Sequence, residues 1–99
     1  MGIIQIIKKK IASSINLIDL KIIDKSSEHI GHKFISTAPI SHIKLIIISN
    51  DFLNIKKLER HKLLYNILAS EIQLIHSVSL SAYTEEEYTK LKKKINPKL

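Results

Sequence analysis

Two histidines, His29 and His32, stand three residues apart in the stretch EHIGHK, with Gly31 between them. The chain of 99 residues carries five histidines, the others being His42, His61 and His76, and no cysteine. Neutral imidazole is a ligand for zinc, iron and copper. Beside a glycine, both rings could swing toward one ion. A solvated turn, with Gly31 supplying a backbone angle and the histidines as polar surface, fits the same spacing, and two imidazoles alone do not complete a zinc site. The missing cysteines remove disulfides, thiolate ligands and thiol nucleophiles. Serine, histidine and aspartate occur without a nucleophile motif such as G-x-S-x-G. Gly31 is the one glycine besides Gly2, which leaves no glycine-rich phosphate loop. Little here supports an enzyme.

The elements that must position these histidines follow from hydrophobic periodicity. Ile3, Ile4, Ile7, Ile11 and Ile15 recur at helical spacing, with Lys8, Lys9 and Lys10 falling largely on the other face. LIDLKIID, 17–24, reads as a strand rich in β-branched residues. The polar segment that follows, 25–41, contains Gly31 and Pro39 and reads as a long mobile loop. HIKLIIIS, 42–49, is the most apolar run and predicts a central strand, antiparallel to the first. A connection of that length in a small domain is usually functional or mobile. After a turn at NDFLN, the stretch 55–72 predicts a long helix whose apolar stripe is Leu58, Leu64, Tyr65, Leu68 and Ile72. IHSVSLSAY then alternates, with His76, Val78, Leu80 and Ala82 on one face and Ile75, Ser77, Ser79 and Ser81 on the other. By that parity His76 opens the third strand and points toward the apolar side, although a strand start beside an exposed loop could also hold an outward ligand. His42 reads as a strand-edge residue. His61, next to Leu58 and Tyr65 by helical spacing, reads as packed or hydrogen-bonded. Thr84 and Glu87 form a capping box that opens a last helix, with acids in its first turn and lysines in its last. The order αββαβα predicts a single α+β domain over 1–99, with helices on one face of a small sheet, order over about 3–94, and a frayed end over 95–99.

Composition narrows the partners. At 44% hydrophobic and 25% charged residues the chain reads as globular. No apolar run approaches the ~20 residues of a membrane span, and MGIIQIIKKK, apolar first and basic second, reverses the order of a signal peptide. A cytoplasmic protein without membrane contact is expected. The net charge of +7 invites a nucleic-acid reading. Between Ile11 and Leu91, however, eight lysines and one arginine balance nine acids, and the excess lies in Lys8, Lys9, Lys10, Lys92, Lys93, Lys94 and Lys98. Arg60 is the only arginine, and there are only three tyrosines, two phenylalanines and no tryptophan. Any nucleic-acid binding would therefore rest on salt-sensitive lysine–phosphate contacts rather than base readout. The candidate surface is Lys56, Lys57, Arg60 and Lys62 on the long helix, for which a solvated basic face is an equal reading.

Taken together, SNDFLNIKKLERHK, ILASEI and IHSVSL resemble the signature run of the BolA family: a strand, F-x-G, R-H-R on the long helix, an L-A-E-E-L-like stretch and V-H-A-L on the third strand. Upstream, DKSSEHIGHK followed by SHIKLIIIS resembles the histidine form of that family's first loop, and YTEEEY its last helix start. The likeness spans about Ile3 to Leu91. Three positions depart: Asn54 replaces the usual glycine, Lys62 the second arginine, and Tyr88 a tryptophan. Asparagine is the next-best residue at positive φ, so the turn can survive. Lysine keeps the charge and loses the fork.

The resemblance implies a three-stranded mixed sheet similar to class II KH domains. RNA binding is not implied, because the KH clamp needs G-x-x-G. The resemblance also implies a monothiol glutaredoxin partner and a [2Fe–2S] cluster shared with it, none being expected in the isolated protein. The glutaredoxin cysteine and glutathione would hold one iron. The other would be held by His76 and by a loop histidine, His29 or alternatively His32. Two imidazoles on one iron resemble the Rieske arrangement, with a raised potential and sensitivity to acid. That would suit a non-enzymatic adaptor in cluster assembly, trafficking or iron sensing. DNA-binding transcriptional regulation is another activity attributed to the family. A zinc protein using His29 and His32, and a weak homodimer, are left open.

Overall fold

Isoleucines at helical spacing fold the start of the chain into α1, Ile3–Ser14, which buries Ile7 and Ile11 completely. The computed structural model describes residues 2–25 and 42–95, with side chains to Lys93. After α1 come β1 (Asp19–Asp24), β2 (His42–Ile48), a 3₁₀ turn (Asn50–Phe52), α2 (Lys57–Ile67), α3 (Ala69–Ile72), β3 (Ser77–Tyr83) and α4 (Glu85–Ile95). The predicted loop lies outside the described residues from 26 to 41, and the frayed end from 96 onward.

The sheet is mixed, in the order β1-β2-β3. β1 runs antiparallel to β2, from Asp19↔Ile48 to Asp24↔Ile43. β3 runs parallel to β2, from His42↔Ser77 to Ile48↔Tyr83. A parallel neighbour needs a crossover, and α2 with α3 supplies it. Side chains alternate across the central strand: Ile43, Leu45 and Ile47 are buried, in one cluster with Ile7 and Ile11 of α1, Leu64 of α2, and Leu68. Lys44 and Ile46, on the opposite face, are half-buried.

The corner after β2 is held by polar contacts. The Ser49 hydroxyl, fully buried, donates to the Asn16 carbonyl at 2.7 Å and accepts from the Asp51 amide at 3.1 Å. Asp51 in turn accepts from the Asn16 amide at 2.9 Å. These bonds satisfy groups that burial would otherwise orphan, and they join the end of α1 to the start of the crossover. Asn54 sits at φ 64, a left-handed conformation that asparagine tolerates, so the turn survives without glycine.

Four details differ from the periodicity. The long helix is interrupted at Leu68, whose φ −105 and ψ 20 separate α2 from α3. Its inner stripe is Arg60, Leu64 and Leu68, whereas Leu58 is 66% exposed and Tyr65 42% exposed. On the third strand Ile75 goes into the core and His76 does not, because the turn after α3 (Leu74 amide to Glu71 carbonyl at 3.0 Å, Ile75 amide to Ile72 carbonyl at 3.3 Å) resets the facing before pairing begins at Ser77. Finally, Lys10 turns back from the solvent face of α1 to pair with Glu71, a buried carboxylate in α3, at 2.9 Å.

Candidate functional site

The first candidate site lies at one end of the sheet, where β2 and β3 both begin. Their parallel register sets His42 level with Ser77, so His76 precedes the first paired residue of β3 beside the start of β2. Lys25 and His42, which flank the 26–41 segment, lie at this same end. They are tied together by the Lys25 amide, which donates to the His42 carbonyl at 2.8 Å. His76 is exposed and His42 half-buried. An exposed imidazole beside a strand start is accessible to an incoming group. Among the described residues, no group of three or more histidines, cysteines, aspartates or glutamates could hold a metal ion. His29 and His32 fall outside the described residues. Of the three proposed ligands, therefore, only His76 has a described position.

This donor set cannot hold an iron–sulfur cluster by itself, because the chain has no cysteine. It does fit a group that arrives with its own sulfur, since His76 is accessible. His61, on α2, is half-buried.

The second candidate surface is the start of α2. Lys56, Lys57 and Lys62 are exposed, and Lys62 pairs with Glu59 at 3.4 Å. Arg60 does not belong with them. Only 5% of it is exposed. Its Nε donates to the Ile55 carbonyl at 2.7 Å and its Nη1 to the Ala82 carbonyl at 3.1 Å. The two Nη atoms grip the Glu87 carboxylate at 2.6 and 3.1 Å. The guanidinium also lies over the Phe52 ring, 5.7 Å from its centroid. It is a structural clasp joining the crossover, β3 and α4, and it has no free donor face for a phosphate.

Glu87 completes the clasp. Its carboxylate accepts from the Thr84 amide at 2.8 Å while its own amide donates to the Thr84 hydroxyl at 3.2 Å, which is the capping box expected from sequence. The Arg60 hydrogen bonds, with help from the Thr84 amide, lower its pKa from 4.5 to about 2. The periodicity did carry a signal for this role: Arg60 sits four residues before Leu64 and eight before Leu68, on the buried stripe.

Comparison with known proteins gives the family and the fold. The family model described as BolA-like protein matches residues 11–87. The chain is 37% identical over 89 residues to a Haemophilus influenzae protein named DNA-binding transcriptional regulator BolA, covering 89% of this chain and 82% of that one. Among solved structures it resembles BolA1 from Arabidopsis thaliana, with a TM-score of 0.74 at 22% identity, covering 88% of this chain and 96% of the other. It also resembles the BolA domain of SufE1 from the same plant, with a TM-score of 0.67 at 28% identity, covering 84% and 92%.

Proposed function

Since the chain belongs to the BolA family, we propose that it is a non-enzymatic iron–sulfur adaptor, whose exposed His76 meets a [2Fe–2S] cluster carried by a monothiol glutaredoxin. The observation that carries this reading lies at one sheet end: His76 is accessible there, beside Lys25 and His42, the described residues that flank the stretch of sequence holding His29 and His32. In this reading His76 and one of those two histidines supply nitrogen ligands, while the partner's thiolate, glutathione and the cluster's sulfides supply the sulfur this chain lacks. When bound, the cluster would provide a one-electron centre. The chain's own contribution is positional: the bend that leads into β3 presents the exposed His76 at the sheet end.

The test is anaerobic mixing of the purified protein with a cluster-loaded monothiol glutaredoxin, followed by visible absorption and circular dichroism. Wild-type protein is expected to change the cluster spectrum. His76→Ala, and a His29→Ala, His32→Ala double variant, are expected to lose that change. Wild-type-like spectra from both variants would show the ligand assignment to be wrong.

A DNA-binding function is the second reading, favoured by the name of the Haemophilus relative, DNA-binding transcriptional regulator BolA. On this chain it would use Lys56, Lys57 and Lys62 without Arg60. Binding should then weaken steeply with salt. An isotherm insensitive to salt would contradict a lysine–phosphate mode.

A further inference from the structure

The two edges of the sheet are defended differently. β1, one edge strand, carries Asp19, Lys21 and Asp24, and charges on an edge strand discourage strand addition. β3 reads SVSLSAY, with no charge and no proline.

Its hydrogen-bonding direction can be read from two contacts. The Tyr83 carbonyl accepts from the Ser49 amide, on the β2 side, at 2.9 Å. The Ala82 carbonyl accepts from Arg60, on the other side, at 3.1 Å. Successive residues of a paired strand aim their main-chain groups to opposite sides. Val78 and Leu80 therefore share the outward direction of Ala82. Among the described residues no hydrogen bond reaches the amide or carbonyl of Val78 or Leu80. Ser79 between them is exposed, with its side chain on the face away from the helices.

We propose that this edge pairs with the same edge of a second copy of the chain, antiparallel and centred on Ser79, to give one sheet continuous across a two-fold dimer. An extended backbone satisfies such a row of groups together. The strand fits itself. In this register Val78 of one protomer exchanges main-chain hydrogen bonds with Leu80 of its partner, and reciprocally, while Val78 and Leu80 side chains meet on the helix side. No charge in either strand opposes a like charge, and none offers a foreign peptide an electrostatic anchor. Arg60 already holds the Ala82 carbonyl, which confines pairing to the first half of the strand and disfavours a register shifted toward Tyr83.

In the proposed register the two Ser79 residues form a non-hydrogen-bonded pair, with Cα atoms ~4.5 Å apart, inside the ~4.4–6.8 Å range of a disulfide. The wild-type chain has no cysteine to interfere. The experiment compares Ser79→Cys with Ser70→Cys, an exposed control on α3, under mild oxidation by oxidised glutathione. Sedimentation of the wild type and Ser79→Glu is measured in parallel, with circular dichroism to verify the fold. The carboxylate introduced by Ser79→Glu would lie opposite Lys44 within the protomer, so the variant keeps a compatible neighbour. Across the dimer axis the same carboxylate would meet its own copy. The expected result is many-fold faster dimer cross-linking for Ser79→Cys than for Ser70→Cys, and a concentration-dependent dimer in wild type that Ser79→Glu loses. Equal cross-linking of the two cysteine variants would overturn the proposal, as would identical sedimentation of wild type and Ser79→Glu.

Discussion

Replacing Arg60 separates a buried clasp from a nucleic-acid contact. Arg60→Ala removes hydrogen bonds to the Ile55 and Ala82 carbonyls and to both oxygens of Glu87. Removing one member of a buried ion pair costs about 3–5 kcal/mol, because its partners lose compensation inside the protein. The partly exposed Glu87 carboxylate regains water, so screening holds its share to about 1–2 kcal/mol. Most of the loss then falls on the two main-chain carbonyls, at about 1–3 kcal/mol for each buried group left unsatisfied, and on packing against Phe52. Against a total stability of about 5–15 kcal/mol, Arg60→Ala should be severely destabilised, and Arg60→Lys should recover only part of the loss because it lacks the fork. Urea denaturation at pH 7 gives the magnitude. The same clasp has a pH signature. The Glu87 pKa in the folded protein is about 2, below its ordinary 4.5. Its contribution is therefore fully present above pH 4.5 and is lost as the pH falls from there through about 2. Glu87→Gln should flatten the stability profile across that window. An Arg60→Ala variant within about 0.5 kcal/mol of wild type, with weakened DNA binding, would refute the clasp and return Arg60 to the surface.

Three further outcomes follow from packing and backbone. At φ 64, Asn54→Gly should be neutral or stabilising, whereas Asn54→Val should cost about 1–3 kcal/mol by thermal denaturation. Leu64→Ala should cost about 2–5 kcal/mol, while Leu58→Ser, at a residue 66% exposed, should stay within about 0.5 kcal/mol; equal losses would mean that the helix faces are misassigned. Lys10→Met leaves the buried Glu71 carboxylate without its cation and should destabilise the fold, whereas the Lys10→Met, Glu71→Met double variant should recover much of the loss in a double-mutant cycle.

The elements that were legible in sequence are those where one local rule decides burial or capping. The isoleucine spacing of α1, the apolar run of β2 and the Thr84–Glu87 box each translate directly into contacts seen in the fold. The features that were hidden depend on distant chain. A single arginine counts as polar in any hydrophobic pattern, so periodicity shifts the stripe toward Leu58 and Tyr65, whereas the carbonyls of Ile55 and Ala82 and the Glu87 carboxylate allow Arg60 to be buried. Alternation extended back past the start of pairing gives His76 an apolar facing, with an outward position as the alternative; the turn through Leu74 and Ile75 breaks that alternation and leaves His76 exposed. The pairing of His42 with Ser77 is parallel and crosses the whole α2–α3 connection, so no local pattern encodes it. In the candidate site, residue types and family likeness singled out His76, and tertiary structure supplied its exposure and its place beside Lys25 and His42, which flank the 26–41 segment.

The adaptor account is tested most directly by asking whether this chain's own nitrogen touches the iron. The protein is labelled with ¹⁵N-histidine, combined anaerobically with an unlabelled cluster-loaded monothiol glutaredoxin, reduced, and examined by pulsed electron paramagnetic resonance. The account predicts ¹⁵N couplings of directly bound imidazole, diminished in His76→Ala. A stable complex whose reduced cluster shows no ¹⁵N coupling, or an unchanged coupling in His76→Ala, would contradict it.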